Sequence, residues 1–375
     1  MSINQFIPVN EPLLNGNEKK YLNHCIDTGW ISSEGPFIKE FEQSLAARMQ
    51  RHHAVAVTNG TAAIDAVIEA LGLSNGDEVI MPTFTIISCI AQIVRNGSTP
   101  VLVDCDPVTW NMDIAQIEAK ITPRTKAVMV VHIYGLPVDM DPVLDICHRH
   151  GLKLIEDAAE MIGQTYRGKP CGSFGDVSTL SFYPNKHITT GEGGMILTND
   201  VALADNLREL RNLCFKPPRR FVHERLGWNL RMTNLQAALG VAQLERLDEF
   251  LIKKRWIGAC YNDLLKDLPG VQLPLPKTDF AENIYWVYGL VLDEYLGDAE
   301  SVMASLAKLG IGTRPFFFPM HQQPVLLEMG LFRGDSYPNA ERMYRQGFYL
   351  PSGLSLTEAQ IIEVAHQVRK VLSIN

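Results

Sequence analysis

One lysine, Lys186, stands between an apolar run and a glycine-rich stretch, in the segment S-F-Y-P-N-K-H-I-T-T-G-E-G-G at 181–194. A lysine in such a turn can be partly desolvated, and desolvation lowers the pKa of its amine. The neutral amine is then a nucleophile that can form a Schiff base. Gly191, Gly193 and Gly194 carry no side chains, so the backbone could pass close to a planar ligand. Taken alone, a loop lysine is more often an ordinary surface residue.

Acidic residues end another apolar run, in I-E-D-A-A-E at 155–160. The carboxyl ends of strands are where ligands of open α/β sheets bind. Asp157 at this place could face a pyridine nitrogen and keep the ring protonated, which makes the ring an electron sink. The N-cap of a helix explains an aspartate here equally well.

The turn T-N-G-T at 58–61 ends a third apolar run and begins a predicted helix. Unpaired backbone N–H groups and the helix dipole meet at such a turn, so a phosphate could bind there. Asn59 and Thr61 can add side-chain hydrogen bonds. Helix capping alone accounts for a turn of this composition, but three such pieces at the ends of predicted strands favour a shared ligand.

The elements that must position these residues follow from hydrophobic periodicity. Between residues 53 and 199, short runs of Val, Ile and Leu alternate with segments of helical period, which is typical of βαβ units around a mainly parallel sheet. Seven strands are predicted at 53–57, 78–82, 100–104, 126–132, 152–157, 177–182 and 194–199. Helices are predicted at 61–71, 142–150, 201–211, 236–250 and 299–309, near Ala340 and near Thr357, with a strand-like run at 285–292.

This pattern predicts an α/β fold. A large domain over residues 1–250, with an N-terminal arm, would hold a mainly parallel sheet flanked by helices. A smaller C-terminal α+β domain would occupy residues 251–375, where helical segments dominate.

Composition excludes several classes of protein. A chain of 375 residues with 46% hydrophobic residues can bury a large core. A net charge of -8 and a pI of about 5.7 provide no electrostatic footprint for nucleic acid. The 7 cysteines show no metal-ligand or redox spacing, which predicts reduced thiols and no metal site. The absence of a membrane-length apolar run and of a signal peptide predicts a cytoplasmic protein without a membrane partner.

The motifs together resemble those of the DegT/DnrJ/EryC1/StrS sugar aminotransferases, a branch of the fold-type I pyridoxal-phosphate enzymes. The likeness spans nearly the whole chain and implies an aspartate-aminotransferase-like fold. It implies pyridoxal 5'-phosphate as cofactor, with pyridoxamine phosphate as its intermediate form. The motifs are W-I-S-S-E-G-P at 30–36, T-N-G-T at 58–61, G-D-E-V-I-M-P-T-F-T at 76–85, I-E-D-A-A-E at 155–160, S-F-Y-P-N-K at 181–186, G-E-G-G at 191–194, G-W-N-L-R-M-T-N at 227–234 and R-P-F-F-F-P-M-H at 314–321.

The resemblance also implies roles for the residues in these motifs. Lys186 would carry the cofactor as a Schiff base and move protons, Asp157 would meet the pyridine nitrogen, and Glu160 would lie near the ring hydroxyl. The residues expected to hold the phosphate are Gly60, Thr61 and Ser181, with Asn59 beside them.

Two further positions concern the cofactor. Asn229, with Trp228 in the usual tyrosine position, matches an asparagine that reaches the phosphate of the other subunit, which implies a homodimer with shared active sites. Ile86 stands where the family commonly has an aromatic residue that stacks on the cofactor. Phe84 is the alternative for that contact.

The implied reaction moves an amino group from glutamate to the 4-keto carbon of a nucleotide-linked 4-keto-6-deoxy sugar. GDP-4-keto-6-deoxy-mannose is the expected acceptor, in the synthesis of a surface polysaccharide or O-antigen, and a dTDP- or UDP-linked sugar is the alternative. Ordinary surface arginines and a satisfied core histidine are the competing interpretations of the candidate substrate-binding residues, which are Arg219, Arg225, Arg231, Arg314 and His321.

Three other functions compete with this one. A sugar 3-dehydratase of the same family has histidine in place of the lysine, and the adjacent His187 does not fill that position. An idle regulator of this fold usually carries a DNA-binding module, and no basic helix-turn-helix segment precedes the domain. A dinucleotide-binding oxidoreductase requires G-x-G-x-x-G after an early strand, and that motif is absent.

Overall fold

Seven apolar strands form the main sheet of the computed structural model, which describes residues 6–373. All residues of the second and the last of these strands are buried, so the sheet needs helices on both faces. The seven predicted strands are confirmed, each to within one residue at either end. With a separate hairpin of β6 and β7, the strands are β1 (His53–Val57), β2 (Glu78–Pro82), β3 (Thr99–Val103), β4 (Thr125–Val131), β5 (Lys153–Asp157), β6 (Thr165–Tyr166), β7 (Lys169–Pro170), β8 (Val177–Ser181) and β9 (Gly194–Thr198).

The order of the main sheet is β1-β9-β8-β5-β4-β2-β3. Strand β9 runs antiparallel to both β1 and β8, whereas the pairs from β8 to β3 are parallel. Asp157 on β5 pairs with Thr179 on β8, two residues before Ser181. The carboxyl ends of β5 and β8 therefore lie side by side.

Helices cover both faces of the sheet. One face packs against α2, α5 and α7 through Phe41, Val143 and Ala238, and the other packs against α3 and α4 through Val67 and Ile90. The helices are α1 (Glu18–Thr28), α2 (Pro36–Arg48), α3 (Gly60–Ala70), α4 (Ile87–Arg95), α5 (Met140–His150), α6 (Val201–Leu210), α7 (Asn234–Leu244), α8 (Leu247–Leu265), α9 (Ala299–Lys308), α10 (Pro324–Glu328), α11 (Pro338–Gln346) and α12 (Glu358–Leu372).

A smaller antiparallel sheet lies in the C-terminal part, in the order β10-β11-β13-β12. Its strands are β10 (Val271–Gln272), β11 (Tyr288–Leu292), β12 (Arg314–Pro315) and β13 (Gly347–Leu350). Helix α8 belongs to both parts, because Phe250 packs in the main core and Tyr261 packs with the smaller sheet. Ile7 near the N-terminus also joins the smaller part, through a bridge to Ile311. The α/β fold with a smaller C-terminal α+β portion is confirmed.

Two predicted elements differ in detail. Strand β11 begins at Tyr288 rather than at 285, because Tyr285 has a φ of 48° and turns the chain before the strand. The helix predicted at 236–250 is two helices, α7 and α8, separated where Arg246 leaves the helical conformation with φ of -112°. None of the helices within residues 6–373 is both long and apolar enough to cross a membrane.

Candidate active site

A cavity of about 720 Å³ opens at the carboxyl ends of the parallel strands. The large sheet contributes most of its wall, through the start of α3, the ends of β5 and β8, and the loop that follows β8. The smaller sheet and the segments beside it contribute the rest, so the site lies between the two parts of the chain. The residues of the smaller part that line the cavity are Trp286, Phe317 and Tyr349.

Lys186 lies inside this cavity and is not a surface lysine. Its side chain is 10% exposed, and its Nζ is 3.9 Å from Glu160 Oε1. The amine also lies 3.8 Å from the centroid of the Trp286 ring. Burial lowers the pKa of the Lys186 amine, and the nearby Glu160 and Asp157 carboxylates oppose part of that shift. The amine is therefore desolvated, as a nucleophilic lysine requires.

The glycines after Lys186 serve the protein chain itself. A Cβ atom on Gly194 would lie 2.4 Å from the carbonyl oxygen of Asn59, and one on Gly193 would lie 2.1 Å from Thr190 Oγ1. Gly191 has a φ of 79°, which favours glycine. The close approach of β9 to the turn before α3 requires glycine at 194, and the expectation that these glycines let the backbone pass close to a planar ligand stays a prediction.

Asp157 is 4% exposed, and both of its carboxylate oxygens are engaged. Oδ1 accepts a hydrogen bond from the Ala159 N–H at 3.0 Å, and Oδ2 accepts one from Cys89 Sγ at 3.2 Å. Burial keeps Cys89 a thiol, because it raises the pKa of that group well above its usual range. Within residues 6–373 no helix begins at Asp157, so the N-cap interpretation does not describe it.

Glu160 is held by the backbone of Tyr134, whose N–H donates to Oε2 at 2.7 Å. Burial raises the pKa of the Glu160 carboxyl to about 8, although the Lys186 ammonium pulls it down. This acid can therefore hold or release a proton close to neutral pH, beside the lysine amine.

The first turn of α3 forms an anion cradle. Asn59 caps the helix by accepting a hydrogen bond from Ala62 N–H at 2.8 Å. Within the described chain, the N–H groups of Gly60 and Thr61 have no protein acceptor. A Cβ on Gly60 would lie 3.0 Å from Ser181 Cβ, so glycine keeps the cradle open beside that hydroxyl. Free N–H groups at a helix start fit a phosphate.

A second unsatisfied group points to a polar ligand. Thr179 Oγ1 is buried, lines the same cavity and has no partner within residues 6–373. An anion cradle, a buried lysine and a buried aspartate thus surround one cavity, and this set matches the phosphate, aldehyde and pyridine nitrogen of pyridoxal phosphate. The residues present fit the expected cofactor.

Ile86 faces the cavity and is 48% exposed. Phe84 is fully buried, and its ring packs 6.0 Å from that of Tyr134 and 5.9 Å from that of Phe317. Of these two residues, Ile86 is therefore the one that presents a surface to a ligand.

Asn229, Arg231, Arg219 and Arg225 do not line the cavity of their own chain, although Leu230 next to Asn229 does. Asn229 is exposed, and its Oδ1 accepts a hydrogen bond from Arg231 Nε at 2.8 Å. Arg219 is exposed, and Arg225 binds Asn206 Oδ1 at 2.8 Å. The structure does not bring these four residues to Lys186 within a single chain.

The remaining substrate candidates separate into two cases. His321 is buried, with its ring nitrogens 2.9 Å from Thr83 Oγ1 and 3.1 Å from Glu341 Oε1. These contacts are those of a satisfied core histidine. Arg314 is exposed and pairs in register with Tyr349, which lines the cavity, so Arg314 stands at its rim.

His187 is buried and turned away from the cavity, with Nε2 3.4 Å from the Ile284 carbonyl oxygen. Burial lowers the pKa of this histidine to about 3, so it stays neutral. It cannot replace Lys186 as the group that faces a ligand.

Several lining residues escape detection in the sequence. Trp286 follows Lys186 by 100 positions, and only its aromatic character could suggest a contact. Asp65 lines the cavity from α3, and burial raises the pKa of its carboxyl to about 6. Cys89 does not line the cavity but donates to Asp157, and in the sequence it lies in an apolar helix and looks like a core residue.

Comparison with known proteins identifies the family of the chain. The profile of the DegT/DnrJ/EryC1/StrS aminotransferase family matches residues 12–369. GDP-perosamine synthase of Caulobacter vibrioides is 46% identical over 368 residues, with 98% of each chain covered. GDP-perosamine synthase of Escherichia coli O157:H7 is 41% identical over 369 residues, covering 98% of this chain and 99% of that protein.

A solved structure of an enzyme with a bound reaction intermediate has a similar fold. DesV of S. venezuelae, in complex with a ketimine intermediate, superposes with a TM-score of 0.88 at 33% identity, covering 95% of this chain and 94% of that one. The chain therefore belongs to the DegT/DnrJ/EryC1/StrS aminotransferase family, and it is an enzyme that uses pyridoxal 5'-phosphate.

Proposed function

We propose that this enzyme transfers the amino group of glutamate to the 4-keto carbon of GDP-4-keto-6-deoxy-mannose and so forms GDP-perosamine. The observation that carries the proposal is the 46% identity to a GDP-perosamine synthase over 98% of both chains. The convergence of Lys186, Asp157 and the α3 cradle on one cavity supports the reaction type. The product would supply a surface polysaccharide or O-antigen.

The cofactor would be held at its phosphate and at its pyridine nitrogen. The N–H groups of Gly60 and Thr61 and the hydroxyl of Ser181 would bind its phosphate, and Asp157 would bind its pyridine nitrogen. When bound, pyridoxal phosphate supplies an aldehyde for the amine exchange and a ring that delocalises negative charge. The Asp157 carboxylate keeps its orientation because the Cys89 thiol and the Ala159 N–H both donate to it.

Lys186 would act as the proton carrier in both halves of the reaction. Its amine loses the proton readily because burial disfavours the ammonium form. It regains a proton in a setting where Glu160 lies 3.9 Å away and favours the charged form. General acid–base work of this kind contributes roughly 10²- to 10⁴-fold to a rate.

Arginine side chains would bind the anionic parts of the two substrates. Arg314 at the rim suits the carboxylate of glutamate, because guanidinium groups bind carboxylates in a bidentate manner. Arg219 and Arg231 do not line the cavity of their own chain, so they would bind substrate in the partner subunit of a dimer. His321 is buried, and each of its ring nitrogens has a hydrogen-bond partner, which supports a structural role instead.

The dimer proposal rests on exposed apolar residues around Asn229. Phe221 is 79% exposed, Leu226 is 92% exposed and Trp228 is 40% exposed. Large exposed apolar side chains within one short segment are a feature expected of an interface. Asn229 lies beside them and does not line its own cavity, which supports its action on the cofactor phosphate of the partner.

Mixed dimers test this sharing. Lys186→Ala and Asn229→Asp would each inactivate a homodimer, the second by placing a negative charge against phosphate. A heterodimer of the two variants would contain one doubly damaged site and one intact site if the sites are shared. About half of the normal activity per dimer should then return. Mixed dimers that are verified by mass spectrometry and remain inactive would reject the shared site.

The substrate proposal is tested with a panel of nucleotide-linked 4-keto-6-deoxy sugars. Purified enzyme is given GDP-, dTDP- and UDP-linked acceptors with glutamate, and the products are identified by mass and NMR. The highest kcat/KM is expected for the GDP-linked mannose derivative. A preference for the dTDP- or UDP-linked sugars would contradict the proposal. Aspartate and glutamine in place of glutamate test the donor in the same assay.

We also propose a cytoplasmic location. All seven cysteines are free thiols, and six of them are buried, as a reducing compartment predicts. Fractionation of the native cell, with the protein detected by antibody, tests this location.

A further inference from the structure

The face of the Trp286 indole supports the amine of Lys186. Nζ lies 3.8 Å from the ring centroid, within the distance at which a cation is attracted to an aromatic ring. Trp286 is 4% exposed and lines the cavity beside Lys186. The ring is therefore a wall of the site and is shielded from water.

Hydrogen bonds fix both the indole ring and the backbone of Trp286. Its Nε1 donates to the carbonyl oxygen of Asn185 at 2.8 Å, and Asn185 directly precedes the lysine. The carbonyl oxygen of Trp286 accepts a hydrogen bond from Lys254 Nζ at 2.8 Å. The same Nζ donates to Ser352 at 2.6 Å, so the segment that carries the tryptophan is fixed to α8 and to the chain after β13.

The groups that face the Lys186 amine have opposing effects. Glu160, Asp157 and the thiol of Cys89 lie on the side of the large sheet and favour the ammonium form to the extent that they are ionised. Lys254 and His187 lie near the tryptophan, and both are buried. Burial of the Lys186 amine opposes its own ammonium form. The indole face is a source of attraction for the ammonium group that does not itself titrate.

We propose that Trp286 is a positioning residue that holds the proton-bearing amine of Lys186 in place whenever that amine is not bonded to the cofactor. This inference rests on the role proposed above for Lys186. In each half of the reaction the lysine is released and must keep its proton within reach of the reacting carbon. A rigid aromatic face serves this purpose without forming a bond that must later break.

Fluorinated tryptophan tests the proposal without a change of shape. Fluorine withdraws electron density from the ring and weakens its attraction for a cation. Enzyme is prepared with ordinary, monofluorinated and difluorinated tryptophan, and it is loaded with pyridoxamine phosphate so that the lysine amine is free. Acetylation of Lys186 by acetic anhydride is measured by mass spectrometry across a pH series, with the exposed Lys19 as internal standard.

The midpoint of the Lys186 acetylation profile should fall stepwise, by about half to one pH unit from ordinary to difluorinated tryptophan. Fluorination replaces all 5 tryptophans of the chain, so Trp286→Phe prepared with and without the difluorinated amino acid is the matched control. No shift is expected between these two preparations. Trp286→Leu, which removes the ring, should lower the midpoint at least as far as difluorination does.

A constant midpoint across the fluorinated series would overturn the role of Trp286, and so would an equal shift in the Trp286→Phe pair. A purely structural role would lower the thermal unfolding midpoint without moving the acetylation profile. The proposed role of Lys186 is tested separately by borohydride reduction of the enzyme with pyridoxal phosphate. Cofactor recovered on another lysine would refute the proposed role of Lys186, whatever the result for Trp286.

Discussion

Removal of the Glu160 charge should change the reactivity of Lys186 in a pH-dependent way. The variant Glu160→Gln keeps the size of the side chain and an oxygen that can accept the Tyr134 N–H bond. It removes a carboxylate that lies 3.9 Å from Lys186 Nζ. The effect depends on whether that carboxylate is ionised in the wild type.

The structure sets the size and the pH range of the effect. Two unit charges about 4 Å apart interact by about 4 kcal/mol at an effective dielectric constant of about 20. An energy of this size can change the ratio of neutral amine to ammonium by at most about 10³-fold. The pKa of Glu160 is raised to about 8, so the wild-type carboxyl is mostly protonated below pH 7 and ionised above pH 9. Above pH 8 the wild-type carboxylate favours the unreactive ammonium, and the variant lacks this effect.

The assay is the rate of covalent attachment of pyridoxal phosphate to the apoenzyme, followed by visible absorbance between pH 6 and 10. The ratio of the variant rate to the wild-type rate should be close to one below pH 7. It should rise to about tenfold or more by pH 9. This expected rise is smaller than the limit of about 10³-fold because the cavity can relax around the changed charge. Glu192→Gln, which removes an exposed carboxylate from the cavity rim, is the control and should leave the ratio flat. A Glu160→Gln ratio that does not vary with pH would refute this reasoning.

Three further variants probe two other parts of the site and one buried acid outside it. Asp157→Asn should lower kcat by about 10² or more while the thermal midpoint changes little, because an amide stabilises a pyridinium charge poorly; unfolding with full activity in the folded fraction would contradict this. Gly60→Ala should weaken cofactor affinity measured by equilibrium dialysis, because the added Cβ would lie 3.0 Å from Ser181 Cβ; unchanged affinity would argue against the cradle. Glu156→Gln should lose about 3 kcal/mol of unfolding free energy in urea, because its carboxylate accepts bonds from His132, Gly172 and Ser178. The pKa of Glu156 is lowered to about 2, so its contribution to wild-type stability should fade as pH drops from about 4.5 to 2, and the variant should lack this acid sensitivity.

The strands and the ends of the strands were predictable from the sequence. Runs such as H-A-V-A-V and E-V-I-M-P are apolar on both faces, and a sheet covered on both sides requires that pattern. The carboxyl ends of parallel strands meet at one edge, so the residues placed there by the motifs were expected to meet. Asp157, Lys186 and the α3 cradle do line one cavity.

Burial and the partners of titratable groups were not predictable, because they depend on chain segments far apart in sequence. Glu156 and Asp157 are adjacent acids, yet Glu156 bonds to the loop at 172–175 and Asp157 faces the cavity. His321 had two interpretations in the sequence, a substrate ligand and a satisfied core histidine, and its contacts with the distant Thr83 and Glu341 favour the second.

The sequence by itself determined the strand positions and the α/β class, and it predicted Lys186 as the reactive lysine, since these depend on local periodicity and on motifs. Tertiary structure decided that β9 runs antiparallel between β1 and β8, and that the smaller part brings Trp286 against Lys186. These contacts join segments that are far apart in the sequence, and they depend on the shape of both surfaces at once. No single stretch of sequence carries that information.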